Sequence, residues 1–128
     1  MTVRTGSLLF VSGHGPIVEG KPAYTGKLGA DITFETGQEA AAVVVLNMLA
    51  TLKAELGELS RISRFVKLMV LVNATPDFTK HHLVADGATD LLVKAFADSG
   101  RPARSTVGVA SLPLDFAVEI DAVVEVRD

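Results

Sequence analysis

With 128 residues the chain has room for one domain with a real core and too little for two independent ones. Hydrophobic residues make up 48% but aromatic ones only 5%, so the core has to be built from Val, Leu, Ile and Ala in close-packed layers. The absence of cysteine excludes disulfides and thiolate chemistry, and a formal charge of −3 argues against the broad positive surface used in non-specific nucleic-acid binding.

No charged segment followed by an apolar stretch opens the sequence, and no apolar run approaches the roughly 20 residues needed to span a bilayer. The expectation is a single cytoplasmic domain over residues 1–128, with no membrane partner, either whole or trimmed at its front.

Leu8 to Val11, bounded by Gly6 and Gly13, predicts a buried strand between turns. Ile17 to Tyr24 predicts a second short strand or hairpin, with Gly20-Lys21 at the bend. Thr36-Gly37-Gln38-Glu39 has capping-box spacing, in which hydroxyl and carboxylate satisfy the donors that a first helical turn leaves orphaned. From Ala41 the apolar Val45, Met48, Leu49, Leu52 and Leu56 share one helical stripe, and Gly57 supplies the stop.

Phe65 to Val72 is apolar apart from Lys67, which predicts a central strand covered on both faces. Arg61, Arg64 and Lys67 form the most basic stretch, and charges flanking an apolar run keep a strand end soluble. Thr75-Pro76-Asp77 offers an N-cap, a proline and an acid, predicting a second helix that carries Phe78, Ala85, Ala88, Leu92 and Phe96 as far as Ser99-Gly100. Gly87 inside it is either a weak point or a place of close packing. Ser105 to Val109 is a short strand candidate, separated by Leu112-Pro113-Leu114 from the clearest strand, which runs from Asp115 or Phe116 to Val126.

In that last strand Phe116, Val118, Ile120, Ala122, Val124 and Val126 fall on one face. The other face mixes Ala117 and Val123 with Glu119, Asp121 and Glu125, too polar for a dry core and too mixed for an ordinary solvent face. The element order is ββαβαββ and the class α+β. Two helices can cover only one face of a sheet of about five strands, so the other face needs cover from an oligomer.

Several chemical signals are incomplete. Gly13-His14-Gly15-Pro16 begins like a phosphate loop, yet no GxGxxG or Lys-Ser/Thr completes it. His81 and His82 fall inside the second predicted helix, where neighbours point about 100° apart and do not chelate one metal, so a surface position is expected and no metal site is assigned. His14 fits a turn histidine bonded to backbone, or a catalytic one. Ser12, Ser105 and Thr106 lack a nucleophile elbow. There remains Arg101-Pro102-Ala103-Arg104-Ser105-Thr106, followed by Glu119. On residue type alone, Arg104 suits a salt bridge at a strand end or a ligand contact, and Glu119 a solvated strand residue or an acid.

Pro102-Ala103-Arg104-Ser105, then Leu112-Pro113, then Val118-Glu119-Ile120-Asp121-Ala122 resembles the C-terminal signature of the RidA/YjgF family of enamine and imine deaminases, also labelled endoribonuclease L-PSP. Upstream, Ser12-Gly13-His14-Gly15-Pro16 resembles the family's first-strand motif, and Thr25-Gly26 to Ala30-Asp31 the loop before its first helix. The resemblance implies a chorismate-mutase-like homotrimer with ligand clefts between subunits and no cofactor. It implies further that Arg104 clasps the substrate carboxylate, that Glu119 positions or activates water, that the Gly26 carbonyl faces the imine, and that Thr106 lines the pocket. Gly108 stands where many of these deaminases carry a larger polar residue, His14 replaces a common glutamine, and no pocket tyrosine precedes the first predicted strand.

The function expected from this is hydrolysis of reactive 2-imino or enamine acids to 2-oxo acids and ammonia. A non-catalytic trimer that binds a small 2-imino or 2-oxo acid is the alternative. Endoribonuclease activity comes third, because acidic charge and few aromatic rings disfavour RNA.

Overall fold

The computed structural model describes all residues, 1–128. Its main sheet has five strands, β1 (Thr2–Thr5), β2 (Leu8–His14), β5 (Ile62–Asn73), β6 (Ala103–Val109) and β7 (Val118–Val126), in the spatial order β1-β2-β7-β5-β6. β5 and β6 run parallel and the other neighbours antiparallel, so the sheet is mixed. The parallel pair is joined through α2 (His81–Phe96), the crossover that parallel strands require. A separate hairpin, β3 (Ile17–Val18) with β4 (Lys21–Pro22), turns at Glu19-Gly20, both in the left-handed region at φ 52° and 77°. The bend therefore lies one residue earlier than expected.

α1 (Phe34–Leu56) and α2 pack on the same sheet face and enclose one core cluster, to which Val44, Met48, Leu52, Phe65, Leu68, Leu92 and Ile120 contribute fully buried side chains. The ββαβαββ order holds for the main sheet, although its first strand is β1, whose polar Thr2, Arg4 and Thr5 gave no apolar signal. No helix is long and apolar enough to cross a membrane.

Both helix starts differ from expectation. Thr33, not Thr36, caps α1: its Oγ1 accepts from the Thr36 N–H at 3.3 Å, and helical geometry begins at Phe34. Thr75-Pro76-Asp77 closes a tight turn instead of opening a helix. There the Phe78 N–H donates to the Thr75 carbonyl at 3.1 Å and the Thr75 hydroxyl to Asp77 Oδ1 at 2.7 Å. α2 starts at His81, so His81 and His82 occupy its first turn and not its interior. Gly57 ends α1 as predicted, with φ 87° and its N–H on the Lys53 carbonyl at 2.8 Å.

The β5 expectation needs a further correction. It lies between β7 and β6, but the helices cover only one of its faces, and Lys67, Met69 and Leu71 on the other are half-exposed. That open face runs across the sheet: Val3, Phe10, Val123 and Lys67 share one row, Asp121, Met69 and Ser105 the next, Glu119, Leu71 and Val107 a third. Val3, Phe10 and Val107 are 64%, 46% and 42% exposed, so apolar area and carboxylates face solvent together.

Candidate functional site

Strand geometry sorts the candidate residues onto two sides, because side chains alternate and register partners share a face. Arg104 pairs with Leu68 and Thr106 with Val70, both core residues, so Arg104 and Thr106 point to the helix side of edge strand β6. Gly108, paired with Val72, continues that stripe. Glu119 pairs with half-exposed Leu71 and points to the open side. Within one chain, then, the sheet separates Arg104 and Thr106 from Glu119.

Arg104 is held from α2. Its Nη1 donates to Asp86 Oδ1 and to Thr89 Oγ1, each at 3.0 Å, and Nη2 donates to the His82 carbonyl at 3.3 Å. Partners at 82, 86 and 89 recur at helical spacing, so one face of α2 is laid along the end of β6. The side chain keeps 23% exposure and borders a depression of about 230 Å³ with Thr89, Arg101 and Pro102. The strand-end ion pair weighed from sequence is thus present. A guanidinium has five N–H groups, and three are engaged here, leaving Nε and one Nη2 hydrogen uncommitted.

Glu119 lies against a glycine. A Cβ added to Gly13 would stand 2.6 Å from Glu119 Oε2, so the close approach of β2 to β7 at this point depends on the missing side chain. The register of that pair shifts between Val11 and His14, a local irregularity that brings Gly13 over the acid. His14 points the other way: its Nδ1–H donates to the Ser12 carbonyl at 2.7 Å, and Nε2 accepts from the Thr51 hydroxyl of α1 at 2.8 Å. Both ring nitrogens are occupied, which matches the backbone-bonded reading.

Gly26 is buried at φ +115°, a conformation suited to glycine, with Asp31 packed where a Cβ would stand. Its carbonyl accepts from Asn73 Nδ2 at 3.2 Å. Asn73, at the end of β5, also donates to the Phe116 carbonyl and to Asp115, and its Oδ1 accepts from Lys27 Nζ at 2.8 Å. Lys27 also donates to the Ala110 carbonyl. This fully buried amide fixes the Gly26 loop to the residues that lead into β7 and was not singled out from sequence, where it is only the polar residue that follows an apolar run. Gly26 shares no hydrogen bond with Arg104, Thr106 or Glu119. No three His, Asp or Glu side chains converge on one point.

The sequence matches the family described as "YjgF/chorismate mutase-like, putative endoribonuclease" over residues 2–125. The chain belongs to the YjgF family. Protein TCP17 of Trypanosoma cruzi is 45% identical over 127 residues, covering 98% of this chain and 79% of that one. The crystal structure of Atu1372 from Agrobacterium tumefaciens, described as of unknown function, superposes with a TM-score of 0.97 at 44% identity, covering 98% of this chain and 80% of that one. TdcF of E. coli, solved with bound serine, is 25% identical with a TM-score of 0.66, covering 99% of this chain and 86% of its own. Atu1372 thus matches the fold of this chain closely over nearly its whole length, and TdcF matches it more loosely.

Proposed function

We propose that this YjgF protein hydrolyses small 2-imino acids, or their enamine tautomers, to 2-oxo acids and ammonia in clefts completed by a second copy of the chain within a homotrimer. The observation that carries the proposal is the division of the site residues between the two sheet faces. Two groups on opposite faces cannot grip one small molecule from the same chain. They can do so where the open face of one copy, with Glu119 and Gly13, meets the exposed β6 edge of its neighbour, with Arg104 and Thr106. The same contact covers Val3, Phe10 and Val107, whose exposure in the single chain is a cost that association removes.

In this cleft the uncommitted Nε–H and Nη2–H of Arg104 hold the substrate carboxylate side-on, the geometry for which a planar fork is suited. Thr106 bounds the pocket on the same strand. Glu119 accepts a proton as water adds to the imine carbon. Glu119 then returns that proton to the nitrogen of the carbinolamine, the C–N bond breaks with ammonia leaving, and the hydroxyl proton passes back to the Glu119 carboxylate as the carbon becomes a ketone. A protonated imine is already electrophilic, so positioning supplies much of the acceleration. The second lone pair of the Gly26 carbonyl is the acceptor left for the iminium N–H, since Asn73 uses the first.

Serine bound to TdcF, an amino acid with a free carboxylate, supports an anionic ligand of this size. The test is release of 2-oxo acid from 2-iminopropanoate generated in situ. Wild type should accelerate it, and Arg104→Ala should lower kcat/KM by about two orders of magnitude. A folded assembly that binds 2-oxo acids through Arg104 without acceleration would instead establish the non-catalytic carboxylate binder.

A further inference from the structure

β6 is the last strand of the sheet, so one of its edges has no neighbour within the chain. Across the β5–β6 pair the Ala74 N–H donates to the Val109 carbonyl, and successive residues of a parallel strand turn their backbone groups to opposite sides. The N–H and the carbonyl of Gly108 therefore both point away from β5, to the free edge. No side chain shields them, and Gly108 lines a cleft of about 390 Å³ with Thr75, Pro76, Phe78, His81 and Val109.

His81 stands over this residue. A Cβ on Gly108 would lie 2.5 Å from His81 Nε2, so the imidazole occupies the space that any side chain at position 108 would fill. The ring packs edge-on against Phe78, with centroids 5.1 Å apart at 72°, which fixes its plane. Neither ring nitrogen has a partner within the chain, in contrast to His14, whose two nitrogens are both bonded.

The lining of the cleft limits what it can hold. No Asp, Glu, Lys or Arg borders it, so an ionised group would find no counter-charge, and the Thr75 hydroxyl is spent on Asp77. What remains is a backbone donor and acceptor side by side, an imidazole, and apolar walls from Pro76, Phe78 and Val109. A neutral planar ring with an N–H next to a C=O matches that set, making one hydrogen bond to each Gly108 group. The cleft shares no lining residue with the depression beside Arg104.

We infer that Gly108 and His81 form a second ligand site, separate from the one at Arg104, for small neutral cyclic amides. The ligand N–H donates to the Gly108 carbonyl, its C=O accepts from the Gly108 N–H, and the His81 and Phe78 rings bound it. The site holds whether or not Arg104 anchors a substrate.

The probe is 2-pyridone, titrated into the whole chain and followed by NMR, with N-methyl-2-pyridone, which lacks the N–H, as control. Wild type is expected to bind 2-pyridone with a Kd in about the millimolar range, as suits a fragment of this size. The control should bind about five-fold more weakly or worse, having lost one hydrogen bond. The Gly108 amide and His81 Cε1–H signals should move with 2-pyridone. Gly108→Ala, whose methyl displaces the imidazole, and His81→Ala should each weaken 2-pyridone binding by about five-fold. Arg104→Ala should leave it unchanged. No binding of 2-pyridone, equal affinity for the two probes, or binding lost in Arg104→Ala overturns the site, as does binding retained in full by both Gly108→Ala and His81→Ala.

Discussion

Arg104 shows how one residue carries a structural and a ligand role together. Asp86 and Thr89 fix its Nη1 from the helix, which orients the fork and also places a negative charge beside the proposed carboxylate site. Asp86→Asn keeps a hydrogen-bond acceptor and removes the charge. The expected outcome is several-fold tighter binding of 2-oxo acids, measured by calorimetry, because like-charge repulsion is relieved. If Arg104 served the fold alone, the substitution would alter stability and no ligand affinity. From sequence, Arg104, Thr106 and Glu119 were legible as candidates through the motif they share. Asp86 was not, since the pairing depends on how α2 lies on β6. Gly13 was visible as part of a motif, but its contact with Glu119 joins residues more than a hundred positions apart in the chain.

At the scale of elements, alternation over Val118–Val126 and the stripe from Ala41 to Leu56 were readable because each reflects burial on a single face. The helix starts were less so. Thr33 and Thr36 both offer a hydroxyl, and the Glu39 signal favoured the wrong one. Thr75-Pro76-Asp77 has the chemistry of a cap but folds into a turn, five residues before α2 begins at Lys80-His81. Displacing α2 in this way turned His81 from an interior helix residue into a cleft residue. Gly87 is resolved as close packing: a Cβ there would stand 2.2 Å from the Gln38 carbonyl of α1, an atom of backbone that cannot swing aside. Gly87→Ala should destabilise the fold by about 1–3 kcal/mol despite the better helix propensity of alanine, read as a lowered midpoint in urea. An unchanged or raised midpoint would contradict the observed helix–helix approach.

For the whole molecule the open sheet face is decisive, and the mixed character of β7 announced it in the sequence. Desolvation pushes the Asp121 carboxyl on that face above its ordinary value. The folded chain favours the neutral acid, so Asp121 contributes stability at low pH and loses that contribution as pH rises through the raised value. Asp121→Asn should therefore be more stable than wild type at pH 7, with the gain fading below about pH 4, as followed by thermal unfolding across pH.

The shared cleft can be tested by mixing two inactive variants. Arg104→Ala and Glu119→Gln are each expected to lose imine hydrolysis as pure proteins. Co-refolded at equal amounts, they should regain about a quarter of wild-type sites, those in which an intact Arg104 meets an intact Glu119 from the neighbouring copy. Mixed assemblies that form and stay as inactive as their parents would contradict a site built between subunits.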